Sequence, residues 1–457
     1  MNYVIVGGGI SGLVAAHALI EAKSDSNITL IEKEQELGGL LSGVVYTNSD
    51  LYFDTGTHIF QETGIESLDQ LLLKSVPHSE LLHFPVGSGD VCGTVFNQRL
   101  QSNSHFPDLR DVFHNRISHS VSKHIKSVKQ IQPIHPCDNL FAASSSRFGE
   151  NFTKEIVAPV FEHTFGVNIN SLSAFSLFLT GWTRVILDEE KEWLSRSNDS
   201  LYRSLVGIPD QRNLPLSLHH GRRSFYSKSM GSKAFVCGLV TSLMQSGVKI
   251  LNGNLISSFD ADSLTFSIKS STYNNKILKA DKVIFSNGVM GAAKILDVNL
   301  NNFGFEKPIQ HKVIDVLLKE QCESDLCYLL GLDVSCDWYR VTNYSAITGD
   351  NTDRRLTIEV LGDRNDHAQN LAHVCLNQLK DISFLQSSEV EFCNIRELKS
   401  GFPTPSVQNF CSINRLWSHL DTTLPGNIMV SGIGSNNGLF FQNEIILDIY
   451  NRTLNFV

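Results

Sequence analysis

A short apolar run, Tyr3-Val4-Ile5-Val6, breaks into Gly7-Gly8-Gly9 and is followed by Ile10 to Ala22, a helical stretch with the small residues Gly12, Ala15 and Ala16 where it would press on the strand. Gly7-x-Gly9-x-x-Gly12 therefore stands directly after a strand and opens a helix, the context that turns a weak pattern into a strong one. Each glycine answers a separate demand. Gly7 permits the tight turn, Gly9 lets the backbone approach a pyrophosphate at the helix N-terminus, and Gly12 lets helix and strand pack closely. The next strand, Ile28 to Ile31, ends at Glu32, twenty residues past Gly12, where a carboxylate accepts both hydroxyls of an adenosine ribose and disfavours a 2′-phosphate. This is a dinucleotide cradle. Between NAD and FAD the fingerprint alone does not choose.

The continuation does. Glu32-Lys33-x-x-x-x-Gly38-Gly39 and then Phe53-Asp54-x-Gly56-x-His58 resemble the extended N-terminus of the flavin amine oxidase, protoporphyrinogen oxidase and UDP-galactopyranose mutase superfamily. The resemblance recurs in order along the chain. Phe148-Gly149-Glu150 through Pro159, Phe165-Gly166 and Leu172-Ser173-Ala174 are similar to the helical segment of protoporphyrinogen oxidase-like proteins. Phe225-Tyr226 with Met230-Gly231, the strand pair Val248 to Ser257, the strand Asp281 to Ile284 and the segment Ile428 to Gln442 complete the match.

What the resemblance implies is an α/β protein with a Rossmann-like (GR2-type) FAD-binding domain and an inserted α+β substrate domain. Residues 1–75, 225–300 and 411–457 fall to the FAD-binding domain; 76–224, largely helical, and 301–410, sheet-rich, fall to the substrate domain. It implies FAD as cofactor, held by Gly7, Gly9, Ile10, Ser11, Gly12, Glu32, Lys33, Gly39, Leu40, Thr57, His58, Leu255, Gly432, Leu439 and Phe440. Leu255 lies on the strand whose backbone meets the adenine in the family.

Three departures limit the carry-over. Gly432-Ile433 replaces the family's Gly-Asp, with Ser435, Asn436 or Asn437 as substitutes for the lost acid. Leu40 replaces the Arg that amine oxidases commonly carry after the glycine pair, and Val313, in the strand Lys312 to Leu318, replaces their lysine. These changes weaken simple amine oxidation without excluding FAD.

Because a flavin does the electron chemistry itself, the protein has to orient a substrate and tune the ring. Gly56-Thr57-His58-Ile59-Phe60 resembles the Gly-Pro-His-Ile-Phe of the galactopyranose mutases, which implies that His58 hydrogen-bonds the isoalloxazine or moves a proton; a structural histidine at a strand end is the alternative. Arg340, in Trp338-Tyr339-Arg340-Val341-Thr342-Asn343-Tyr344, is the second catalytic candidate, an arginine among aromatics suited to a substrate phosphate or carboxylate.

Composition narrows the partners. With 47 Asp plus Glu against 38 Lys plus Arg, the net charge of −9 repels a phosphate backbone, so nucleic acid is not expected. The opening run lacks a basic leader and a cleavage site, and no apolar stretch approaches the roughly 20 residues of a membrane span. The odd set of nine cysteines, without C-x-x-C or companion histidines, predicts no metal and reduced thiols in a cytoplasmic protein. The reading is a cytoplasmic FAD-dependent oxidoreductase acting on a small molecule, a nucleotide-linked or glycosyl one. Its alternatives are a mutase-like redox-neutral isomerase and a binding protein on the same scaffold, as in the Rab GDP-dissociation inhibitors.

Overall fold

The computed structural model describes residues 1–23, 25–47, 51–84, 92–110, 115–219, 221–270, 276–363 and 368–457. They form two units: Met1–His83, Ser224–Phe305 and Cys411–Val457 make unit 1, and Phe84–Arg223 with Glu306–Phe410 make unit 2.

Unit 1 is built on a five-stranded sheet, all parallel, of β1 (Asn2–Val6), β2 (Asn27–Ile31), β3 (Lys249–Leu251), β4 (Lys282–Phe285) and β5 (Ile428–Val430). The order is β3-β2-β1-β4-β5, so the direction of winding reverses beside β1, between it and β4. Doubly wound sheets bind ligands at such a point. Alternate residues face opposite layers. Tyr3, Ile5, Leu30 and Ile284 pack against helix α1 (Ile10–Ala22) and the helices Gly231–Gln245 and Gln442–Phe456. Val4, Val6, Val283 and Phe285 pack on the other side, with Phe266 and Ile268 of a three-stranded antiparallel sheet and with the helices Gly288–Ile295 and Val407–Thr423. Burying each such side chain stabilises by about 1.5–3 kcal/mol, which explains why strands of three to five residues suffice.

Unit 2 carries a seven-stranded mixed sheet in the order Val390–Glu397, His311–Leu318, Arg355–Leu361, Arg340–Asn343, Tyr328–Gly331, Cys92–Phe96, Arg99–Ser102. One face is apolar, where Ile314, Val316, Val341 and Ile358 cover the helix Ala368–Asp381. The sequence pattern places the start of that helix at Asp366, and residues 364–367 lie outside the described residues. The opposite face meets a helical layer through Phe96, Leu330 and Leu361.

The sequence around Pro159 reads as a helix interrupted or ended near the proline, and Leu172 to Trp182 as its continuation. The first is interrupted and not ended: the residues Glu150–Phe165 stay helical, with a π turn over Thr153–Val157. Proline has no N–H and its ring crowds the preceding turn, and the wider turn accommodates both. The second, Leu172 to Trp182, is helical only over Ser176–Thr180, because Ser173 and Leu172 are tied instead to Pro405 and Asn168.

Candidate functional site

The Gly7 loop is shaped by what will and will not fit. Gly7 has φ +109°, a backbone that other residues rarely adopt. A Cβ on Gly12 would sit 1.9 Å from the Gly7 carbonyl oxygen and 2.7 Å from Ser286 Oγ, so the first turn of α1 can approach β1 only as glycine. A Cβ on Gly9 would meet no protein atom within 4 Å. Gly9 caps α1 without a side-chain hydrogen bond, and the first turn contains no acidic residue. The N–H groups of that turn, around Ile10 and Ser11, have no intrahelical acceptors, and they leave the positive end of the helix dipole facing open space, an arrangement suited to a phosphate.

Glu32 joins this loop to its neighbours. Its Oε2 accepts from the Gly8 N–H at 2.7 Å and its Oε1 from the Glu34 N–H at 2.9 Å. A carboxylate has about four acceptor positions, so two remain for ribose hydroxyls. The Glu32 carbonyl accepts from Asn254 N–H at 2.9 Å and Gly38 N–H donates to the Gly8 carbonyl at 2.8 Å, which draws Gly39, Leu40 and Leu255 to the same rim. Leu40 and Leu255 are exposed, at 57% and 55%. Lys33 points to solvent, its ammonium 3.5 Å from Glu34.

The opposite rim comes from the loops after β4 and β5. The Ser286 hydroxyl bridges the carbonyls of Val6 (2.9 Å) and Gly7 (3.0 Å). Gly288 N–H donates to Ser431 O at 3.2 Å, and a Cβ on Gly432, at φ +98°, would press to 3.0 Å from Ser286 O and Gly288 N. Beside Gly7, the buried Oδ1 of Asn287 has no hydrogen-bond partner. Such an orphan costs about 1–3 kcal/mol unless a ligand supplies a donor. Sequence reasoning passed over Asn287, although Ser286-Asn287-Gly288 punctuates β4 as the glycines punctuate β1. The open space at Gly9, the bare helix N-terminus, Glu32 and Asn287 fit a dinucleotide such as FAD.

Two expected substitutes in the last segment are engaged elsewhere. The Ser435 hydroxyl donates to Gly432 O at 2.7 Å and Asn436 Nδ2 to Asp448 Oδ1 at 3.1 Å. Ile433 stays exposed, and Leu439 and Phe440 are half-buried.

Thr57 and His58 follow a hub that the sequence did not reveal. The carboxylate of Asp54, 1% exposed, accepts from Tyr52 Oη, Tyr226 Oη, the Ser232 hydroxyl and the Ser232 N–H. This ties the strand Leu51–Phe53 to the helix starting at Gly231. His58 is half-buried in the loop that leaves the hub, its Nε2 bonded to the Thr55 carbonyl at 2.9 Å.

In unit 2, Arg340 is closed on a carboxylate rather than open to an anion. Its Nε lies 2.5 Å from Glu359 Oε1 and its Nη2 3.0 Å from Oε2, and His311 Nε2 stands 3.2 Å from Oε2, off the line of a hydrogen bond. Burial alone would raise the Glu359 carboxyl, but the charge of Arg340, joined by His311, outweighs it and holds the group at about 2. Arg340 is itself raised, its burial overcome by Glu359. The correction has a plain reason: Arg340 and Glu359 face each other in register on adjacent strands. Val313 lies opposite Glu359 on the next strand, fully buried, and the alternation of the strand turns Lys312 to the other face.

The same sheet borders a half-buried chain of polar groups. His105 Nε2 lies 2.6 Å from Tyr328 Oη and its Nδ1 3.3 Å from Cys92 Sγ, and burial lowers the imidazole to about 4. A histidine lowered in this way stabilises the fold fully above its unfolded value near 6.5, and the contribution is lost as pH falls from there towards 4. Glu359 acts in a lower window: its contribution is present above its ordinary 4.5 and is lost as pH falls towards 2. Each shift corresponds to about 3 kcal/mol. Urea midpoints measured from pH 8 to pH 3 are expected to fall in two steps, and His105→Gln to remove the upper one. A midpoint that holds steady between pH 7 and pH 4 would contradict the burial of a neutral His105.

Among the described residues, no helix is long and apolar enough to cross a membrane. A family profile described as an NAD(P)-binding Rossmann-like domain matches residues 5–72. No curated protein matches the sequence. Among solved structures, reduced UDP-galactopyranose mutase is 15% identical, with 99% of this chain and 92% of that chain covered at a TM-score of 0.74. A protein from Exiguobacterium proposed to be a protoporphyrinogen oxidase is 16% identical, covering 99% and 98% at 0.68. Cyclohexylamine oxidase from Brevibacterium oxydans is 12% identical, covering 100% and 98% at 0.61. The chain has the Rossmann-like α/β fold that these oxidases and the mutase share.

Proposed function

We propose that the chain binds FAD at the Gly7 loop and is an FAD-dependent oxidoreductase acting on a small molecule, a nucleotide-linked or glycosyl one. The observation that carries this is Gly9: the protein's own packing does not require glycine there, whereas a pyrophosphate against the backbone does. Gly7, Gly9, Ile10, Ser11 and Gly12 would hold the pyrophosphate, Glu32 the ribose, the backbone near Leu255 the adenine, and Gly39, Gly432, Leu439 and Phe440 the remainder. When bound, FAD supplies a two-electron acceptor. The chain's part is to orient the substrate and hold or pass a proton, for which His58 is the candidate in unit 1. Arg340 would act as a positioned ion pair with Glu359, an anionic substrate having to compete with that carboxylate.

A second reading, a redox-neutral isomerase like the mutase, is favoured by the likeness to that enzyme over 92% of its length. Anaerobic stopped-flow with nucleotide sugars separates the two. Bleaching of the oxidised flavin by a sugar nucleotide is expected for an oxidoreductase. Turnover seen only after the flavin has been reduced beforehand would replace it with the isomerase.

A further inference from the structure

Four half-buried arginines of unit 2 face acids. Arg110 holds Asp108, Arg340 holds Glu359, Arg355 holds Asp353 and Arg396 holds Asp315. Arg147, Arg184 and Arg203 do not. Arg147 is only 8% exposed, yet its Nε has no partner and its Nη2 reaches two carbonyls, Thr183 O at 3.3 Å and Ser204 O at 3.1 Å. Those carbonyls belong to the residues preceding Arg184 and following Arg203, so one guanidinium lies between the backbones that carry the other two. Arg203 donates to Ser197 O. Arg184 lies over the Phe106 ring, 5.4 Å from its centroid, and among the described residues it forms no hydrogen bond or ion pair.

Nearby acids are committed elsewhere. Asp188 accepts from Tyr202 Oη at 2.5 Å and from Arg196 at 3.3 Å, and Asp199 caps its helix through the Tyr202 N–H at 3.1 Å. Burial and like charge therefore act together: Arg147 is lowered by burial and by Arg184, and Arg184 by burial and by Arg203. Like charges set near one another, one buried and two half-buried, with no acid paired to any of them, are unfavourable unless an anion completes the group.

We propose that Arg147, Arg184 and Arg203 form an oxyanion site in unit 2 that takes a phosphoryl group, free or carried on a small molecule. Planar guanidinium forks match phosphate oxygens in pairs, and three cations without an acid suit a doubly charged group better than a single carboxylate. The assignment stands on unit 2 alone, so it is tested whether or not the chain binds flavin.

The test is calorimetric titration and thermal melting of the full chain with inorganic phosphate, pyrophosphate and UDP, against sodium chloride at matched ionic strength. At least one phosphoryl probe is expected to bind and raise Tm beyond chloride. Saturation by inorganic phosphate identifies a free anion as sufficient, and binding of UDP or pyrophosphate without it identifies a carried group. Arg184→Gln is expected to weaken that binding at least tenfold, with the exposed Arg212→Gln unchanged. Because Arg184 holds no hydrogen bond, the ligand-free Arg184→Gln protein is expected to melt no lower than the parent. A chloride effect equal to that of every phosphoryl probe, an unchanged affinity in Arg184→Gln, or a large loss of Tm in that variant without ligand would each overturn the proposal.

Discussion

Gly9→Val is expected to fold normally and fail to hold FAD, whereas Gly12→Ala is expected to lose both fold stability and FAD. The two glycines lie three residues apart in one motif, and the motif alone gives them similar standing. The structure separates them. A Cβ at Gly9 meets no protein atom within 4 Å, and its extended backbone (φ −72°, ψ 178°) accepts a β-branched residue, so stability should stay within about 0.5 kcal/mol of the parent. The same side chain fills the space in front of the helix N-terminus and should weaken FAD by at least about a hundredfold, roughly 2.7 kcal/mol. At Gly12 one methyl lands 1.9 Å from the Gly7 oxygen, an overlap that only backbone movement relieves. The cost should reach the upper end of overpacking, about 3 kcal/mol. Urea unfolding and FAD titration of both variants check this. If Gly9→Val unfolded as readily as Gly12→Ala, the motif would be a structural turn.

Asp54→Ala is expected to be the most destabilising substitution in unit 1 outside its glycines, at about 3–5 kcal/mol. The carboxylate accepts from Tyr52, Tyr226 and Ser232 in a site closed to water, and its loss removes an acceptor from two tyrosine hydroxyls and a backbone N–H. Each stranded donor costs about 1–3 kcal/mol, reduced where a hydroxyl can turn to another acceptor. Asp54→Asn retains one acceptor oxygen and should lose about half as much. Gly231 depends on the same hub, since a Cβ there would lie 2.5 Å from Asp54 Oδ2. Chemical unfolding of the three proteins is the measurement. An Asp54→Ala protein as stable as the parent but weaker for FAD would make Asp54 a cofactor ligand instead.

These cases show what could be read before the structure. The turn after β1, the strand at Ile28 and the last strand at Ile428 are announced by apolar runs cut by glycine or turn residues, so their signals are local. The cradle was legible for the same reason, down to Gly12 and Glu32. The Asp54 hub was not, because Tyr226 and Ser232 stand more than 170 residues away in the chain. Arg340 looked open to a ligand because its partner, Glu359, sits on a neighbouring strand, and strand register is not written in either segment. The residues around Pro159 looked like an interrupted or ended helix because proline usually makes one, and the π turn that lets the helix run on has no sequence signature. The unpaired arginines are a three-dimensional fact of the same kind: each is ordinary alone, and only their grouping is unusual.

As proposed, the Gly7 loop is a cradle for FAD rather than a bare turn. Titration of the purified full chain with FAD, followed by flavin fluorescence and the visible spectrum after gel filtration, tests it most directly. One FAD is expected to be retained per chain with quenched fluorescence, and NAD to be unable to displace it. A protein that leaves the column colourless after incubation with excess FAD, its flavin fluorescence unquenched, would contradict it.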